Sequence, residues 1–225
     1  MSGSSLRVAA ATLLTILVTA ACAPAAATPT SAPGASALPA GSHTSKAFKT
    51  PFSYSVPGGW TNGGDSADYF ELRPAGSDIV GIYLFRGPLA ASQDRTCPDA
   101  GEPGVGTSST ELAAWIRGLK GLKVSAPRLA AVGGLRGTEI DVQIVEGWTF
   151  SCPFANGLPT VPLFIGPSGN FRWVVAGNER LRLDLLDGPD NTTIVVDVDA
   201  FQGSLFEDLL LAASPIVRSI SFKTN

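Results

Sequence analysis

The chain has 225 residues and a formal net charge of −3, with 44% hydrophobic and 16% charged residues, 25 glycines and 17 prolines. Scattered cations on a mildly acidic background exclude the clustered basic footprint that nucleic acid or anionic lipid requires. Abundant Val, Ile, Leu and Phe after residue 47 exclude a disordered chain. Low charge with many turn formers points to short strands broken by loops.

The N-terminus reads as an export signal. Arg7 precedes an apolar stretch over 8–18, and the small residues Thr19, Ala20 and Ala21 lead into Cys22. The apolar run over 8–21 gives way to a Pro-rich segment, short of the roughly 20 residues a spanning helix needs. V-T-A-A-C, residues 18–22, resembles the bacterial lipobox, in which the cysteine is diacylated and becomes the new N-terminus. It departs from the commonest pattern at Thr19, where a bulky aliphatic is usual. The resemblance implies a lipoprotein signal peptide over 1–21 and lipidation at Cys22. Two acyl chains hold a protein stably on a membrane, whereas one holds it marginally. The expected address is therefore the outer, extracytoplasmic face of the cell membrane. An ordinary secretory signal, releasing a soluble protein, is the alternative. Residues 22–46, rich in Ala, Pro, Thr and Ser, read as a semi-extended tether.

The folded part, 47–225, is expected to open with a strand over 52–56, where Phe52, Tyr54 and Val56 alternate before the Pro57-Gly58-Gly59 turn and Trp60. A strand over 69–73 and a central strand over 79–85 follow. A loop punctuated by Pro88, Pro98 and Pro103 then passes Cys97. Ser108 and Glu111 match a capping box, and Leu112, Trp115, Ile116 and Leu119 form the stripe of a helix ended by Gly121. Residues 129–132, Gly133-Gly134 and 138–145 read as strand, turn, strand. Ile140, Val142 and Ile144 share one face of the second strand, and Glu139 and Asp141 the other. Segments 171–175, 180–186 and 193–198 read as a three-strand meander. A last helix from Ser204 carries the stripe Phe206, Leu210, Ala213, Val217 and Ile220, and Pro215 predicts that it kinks or ends. Residues 220–222 close the chain as a short strand, completing a single domain.

Apart from Cys22, the cysteines are Cys97 and Cys152. An exported chain with one remaining pair most simply forms one disulfide. Closing a loop of about 55 residues would stabilise the fold by about 4 kcal/mol on the chain-entropy model.

The opening F-S-Y-S-V-P-G-G-W (52–60), the G-G-L-R-G-T-E-I-D-V strand (133–142), T-I-V-V-D-V-D (193–199) and the closing I-V-R-S-I-S-F (216–222) occur in an order that resembles actinobacterial extracytoplasmic lipoproteins with a PsbP-like fold. The resemblance covers roughly residues 50–222. It implies an α+β fold, a single antiparallel sheet flanked by helices in an α/β/α sandwich. Its motifs are structural, and it supplies no catalytic residue to carry over. Members are generally binding or accessory proteins.

The chemistry is bounded by histidine. The single one, His43, falls in the expected tether, so the folded part offers no imidazole for a triad, a Cys-His pair or a His-based metal site. No metal or other cofactor is expected. Glu139 with Asp141, Asp197 with Asp199, and Asp184 with Asp187 could form carboxylate pairs, but alternation assigns them to a solvated sheet face, neutralised by Arg136, Arg180 and Arg182. Trp148, Phe150, Phe154 and Phe164 mark an apolar loop held by the expected disulfide, a possible binding patch or else part of the core. The expected function is a non-catalytic binding or accessory domain for an envelope protein or a small apolar ligand. The alternative is a carboxylate-dependent glycosidase or other hydrolase acting on cell-envelope material, which would need two carboxylates about 5–9.5 Å apart in a concave pocket.

Overall fold

The computed structural model describes residues 37–223; the signal segment, Cys22 and most of the expected tether lie outside the described residues. In chain order, β1 (Gly41–Thr44), β2 (Phe52–Val56), β3 (Trp60–Asp65), β4 (Tyr69–Pro74), β5 (Val80–Arg86) and β6 (Leu89–Ala90) precede α1 (Ser109–Gly118). Next come β7 (Leu122–Val124), β8 (Arg128–Val132), β9 (Leu135–Ile144), β10 (Thr160–Ile165), β11 (Arg172–Ala176), β12 (Arg180–Asp187) and β13 (Thr193–Ala200). They lead to α2 (Phe206–Ser219) and β14 (Ser221–Phe222).

The expected single sheet flanked by helices does not hold. Among the described residues the strands form three sheets: an eight-stranded one in the order β3-β4-β5-β13-β12-β9-β7 with β8 also on β9, and two of three strands, β1-β2-β14 and β11-β10-β6. The chain is mostly β, because both small sheets do covering work that the α/β/α reading gave to helices. On one face of the large sheet, Ile82, Leu84, Ile194, Val196 and Val198 pack with Phe206, Ala213 and Ile216 of α2 and with Phe52 and Tyr54 of β2. On the other, Tyr83, Phe85, Leu181, Leu183, Leu185 and Val195 meet Leu112 and Ile116 of α1 and Leu163, Phe164 and Val175 of the β10–β11 sheet.

Three local readings change with this architecture. The meander over 171–198 is a hairpin, β12–β13, paired from Arg180↔Ala200 to Asp187↔Thr193. β11 pairs instead with β10. Residues 160–165, read as part of a loop, are a fully buried strand, with the ladder irregular between Pro162 and Phe164, where proline has no N–H to give. The tether gives way to β1 at its C-terminal end, because the Asp65 carboxylate accepts the Ser45 hydroxyl at 2.7 Å and the Lys46 N–H at 2.6 Å and so pins the turn into β2. His43 accordingly sits in β1, stacked on Tyr54 at 5.6 Å.

The helices follow their capping chemistry. Ser108 and Glu111 make the reciprocal capping box of α1. Pro215 neither ends nor breaks α2, which runs on to Ser219. Pro215 lies on the exposed side, where water can serve the Leu211 carbonyl that loses its amide partner. Gly133 and Gly134 both take positive φ (61° and 88°), as a two-residue hairpin turn between β8 and β9 requires. Cys97 and Cys152 form the expected disulfide, with Cα atoms 5.8 Å apart, and tie the β6–α1 loop to the segment before β10.

At Gly137, β9 passes so close to β12 that a Cβ would lie 1.9 Å from the Leu185 carbonyl oxygen. Gly137→Ala should therefore destabilise the fold by about 2–3 kcal/mol in denaturant unfolding. A wild-type midpoint in that variant would contradict the packing described.

Candidate functional site

The second core ends at the surface in an aromatic groove of about 340 Å³ beside the disulfide. Trp148, Phe150 and Val161 supply apolar surface, and Gln93, Arg95 and Lys120 supply polar groups. Main-chain geometry fixes the aromatic wall. The Trp148 indole N–H donates to the Thr160 carbonyl at 2.9 Å, and the Thr160 N–H donates to the Phe150 carbonyl at 2.8 Å. The Cys152 N–H donates to the Thr160 hydroxyl at 2.8 Å. The Trp148 and Phe150 rings stand edge to face, 6.3 Å apart, and Arg95 lies over the Phe150 ring at 5.4 Å.

The four residues of the expected patch are not one surface. Trp148 and Phe150 are half-buried and line the groove. Phe154 is exposed and lies under the Arg172 guanidinium at 4.2 Å, itself paired with Asp99. Phe164 is fully buried against Phe85, because β10 carries it into the second core. Gln93, Arg95 and Lys120 were not legible as site residues from local sequence. The Cys97–Cys152 pairing is the signal that could have found Arg95, since it sets residues 95 and 150 side by side.

The carboxylates depart furthest from expectation. The large sheet has no freely solvated central face, so Asp184, Asp197 and Asp199 are all buried. Asp197 and Asp199 leave the same face of β13 as Val195, beneath β11, while Asp184 leaves the α2 face of β12. Glu179, in the turn from β11 into β12, accepts the Ala176 N–H at 2.7 Å and lies close to Asp199. Burial, then the nearby Asp199 charge, pushes Glu179 well above the usual carboxyl range. Asp197 is raised by the same two causes, opposed by the indole N–H of Trp173, although no hydrogen bond of good geometry completes that contact. Burial raises Asp199 to about 7.

On the other face, Glu139 and Asp141 do meet arginines, but not quite those expected. Arg128 and Arg182 hold them, with Arg182 Nε 2.7 Å from Asp141 and Arg128 Nε 2.6 Å from Glu139. Burial pushes the Asp141 carboxyl up, yet hydrogen bonds from Arg182 and Arg128 outweigh it and hold the group below its ordinary value. Arg180 pairs instead with Glu207 at 3.0 Å, and Arg136 is exposed. Asp187, at the exposed end of β12, is bonded by the Ser109 hydroxyl. No cluster of three or more metal-ligating side chains with coordinating geometry occurs among the described residues.

These shifts set a stability profile. Carboxyls raised in the fold bind protons more tightly than in the unfolded chain, so their contribution is complete below about pH 4 and is lost as pH rises through about 7. Asp141 acts oppositely, and its contribution is lost only as pH falls below the ordinary aspartate range. Stability should peak near pH 4–5 and fall toward pH 8, by about 1.4 kcal/mol per pH unit for each proton taken up on folding. Thermal melts should show Asp197→Asn raising Tm at pH 8 by about 3 °C or more, with little change at pH 4.5. A flat profile in the wild type would rule out buried protonated carboxyls.

No family model matches the chain, and no curated protein matches it. Solved structures of similar shape include a crystal structure from Bacteroides thetaiotaomicron VPI-5482, 9% identical, with a TM-score of 0.40 over 84% of this chain and 50% of that one. The chain thus spans about half the length of that protein. They also include the solution structure of cyanobacterial PsbP (CyanoP) from Synechocystis sp. PCC 6803, 8% identical, with a TM-score of 0.39 over 83% of this chain and 95% of that one. A PsbP-like protein is therefore among the structural neighbours of this chain, and the low scores transfer neither a ligand nor an activity.

Proposed function

We propose that the chain is a lipid-anchored extracytoplasmic binding protein, attached through Cys22 to the outer face of the cell membrane, whose aromatic groove takes a small apolar ligand carrying an anionic or acceptor group. The observation that carries this reading is the groove itself: an aromatic wall of Trp148 and Phe150, concave over about 340 Å³, with Gln93, Arg95 and Lys120 at its edge. That size and mixture of apolar wall with few polar groups suit a small-molecule site. Export is supported by the lipobox-like run into Cys22 and by a disulfide that an oxidising compartment favours.

What supports a binding role over a carboxylate-dependent hydrolase is how the acidic groups are occupied. Glu139 and Asp141 are tied to Arg128 and Arg182, and Asp197 is sealed from solvent. Asp184 is then left without a second uncommitted carboxylate beside it, where glycoside cleavage uses an acid together with a base or nucleophile.

Two measurements test the reading separately. Cys22→Ala should move the protein from the membrane fraction to the medium, and mass spectrometry of the wild type should find a diacylated Cys22. Retention of the variant in membranes would refute the anchor. Anilinonaphthalene sulfonate should bind the folded protein, and Phe150→Ala and Arg95→Ala should each weaken it about fivefold with little loss of Tm. Dye binding unchanged in both variants would refute the groove; a partner protein lost from detergent extracts of Phe150→Ala, with no dye effect, would replace the small ligand by an envelope protein.

A further inference from the structure

Pairing across the large sheet brings the ends of its strands into one line. Trp60 of β3 faces Pro74 of β4, Val80 of β5 faces Ala200 of β13, and Arg180 of β12 lies between Ala200 and Gln143 of β9. Pro74 reaches the level of Val80 because Leu72 pairs with Ile82. Beyond this line the connecting segments are bonded to one another. The Ala75 N–H donates to the Gly59 carbonyl at 2.7 Å and the Phe201 N–H to the Ile79 carbonyl at 2.8 Å. The Gly203 N–H donates to the Asn178 carbonyl at 3.1 Å and the Gly177 N–H to the Pro159 carbonyl at 2.8 Å. Together they make one continuous rim.

Two independent features meet there. The first is apolar exposure: Leu158, Phe201 and Leu205 are 44%, 38% and 36% exposed, and Leu158 lies against Gly177. Other exposed apolar side chains are dispersed. Leu129 sits opposite Thr138, well down β9 from Gln143, Leu211 lies midway along α2, and Phe154 lies under Arg172. The second feature is where the chain enters the fold. The Leu38 N–H donates to the Trp60 carbonyl at 2.6 Å, at one end of the rim. Cys22 stands 15 residues before Ala37, so the two are at most roughly 50 Å apart. Turning the opposite end, at the 188–191 turn, toward an anchoring bilayer would use about 30 Å of that reach in running back along the sheet. Turning the rim toward it uses none.

We propose that the rim carrying Leu158, Phe201 and Leu205 is a membrane-contacting surface, its apolar side chains lying among neutral or zwitterionic lipids of the bilayer that holds Cys22. This depends on the lipid anchor argued above. Charge selects the lipid. Asp78 and Asp208 are exposed near the apolar positions, and Arg180 is paired with Glu207 at 3.0 Å. The exposed cations Lys120 and Lys123 stand away from them, on the β7 side. Anionic headgroups therefore gain nothing beside Phe201 and Leu205. Three partly exposed side chains are too few to bring a free protein to a bilayer, but on a tethered chain they fix which end faces it.

The test uses the acylated protein, extracted in detergent and returned to phosphatidylcholine vesicles, with one added cysteine bearing the polarity-sensitive dye nitrobenzoxadiazole. The added cysteine is Leu158→Cys, Leu205→Cys or, at the opposite end, Asp190→Cys. Acylation blocks Cys22 and the disulfide blocks Cys97 and Cys152, so the added thiol alone reacts. Compared with the same site in the soluble Cys22→Ala form, emission should rise about threefold at 158 and 205 and stay unchanged at 190. Adding phosphatidylglycerol should not raise it further. Phe201→Asp together with Leu205→Asp should return the dye at 158 to its soluble emission, with Tm kept within about 2 °C. Dye recovered on Cys22 itself would refute the anchor and this orientation with it. Equal emission at 158, 205 and 190 in an acylated protein would overturn the surface alone. A rise seen in native membranes but not in lipid vesicles would overturn it in favour of an envelope protein.

Discussion

The β12–β13 hairpin is covered on both of its faces, and the rest of the structure follows from that enclosure. Its odd and even positions both meet apolar layers, one built by α2 with the β1-β2-β14 sheet and the other by α1 with the β11-β10-β6 sheet. Each carboxyl that the hairpin carries near its middle is therefore inside. Desolvating an ionised carboxylate costs several kcal/mol even after relaxation. The fold meets that cost in two ways. It binds Asp141 with two arginines, and it raises Glu179 and Asp197 well above the usual carboxyl range, toward their neutral forms.

The covers also create the concave sites. The aromatic groove lies where the exit of α1 meets the segment leading into β10, and the disulfide fastens that segment to the β6–α1 loop. A second cleft, of about 290 Å³, lies where α2 stands off from β8 and β9. Both sit at the margins of the covering layers, where packing gives out before the apolar surface does. That placement explains why Trp148 and Phe150 keep exposure that core positions lack.

Much of this was legible locally. The capping box at Ser108 and Glu111, the paired glycines at 133–134 and the strand alternation at 52–56 are each specified by neighbouring residues, the disulfide by there being one remaining cysteine pair, and each stands in the fold. What local pattern could not express is how many layers lie on a strand. Alternation in T-I-V-V-D-V-D distinguishes two faces, yet it cannot say that the acidic face is roofed by a strand formed about twenty residues earlier. The same omission left Phe164 open between a patch and the core, and it hid Asp184 among solvated acids. Pro215 does not end α2, because on the exposed side of the helix water can serve the carbonyl that loses its amide partner.

The central claim is that a β-sheet with both faces roofed holds carboxyl groups protonated at neutral pH. Side-chain carboxyl carbons observed by NMR across pH 3 to 9 test it directly. The account predicts that Asp184 and Asp199 titrate near pH 7, that Glu179 and Asp197 titrate far above ordinary carboxyls, and that Asp141 titrates below them. Titration of all five between about pH 3.5 and 4.5, as in a solvated chain, would contradict it.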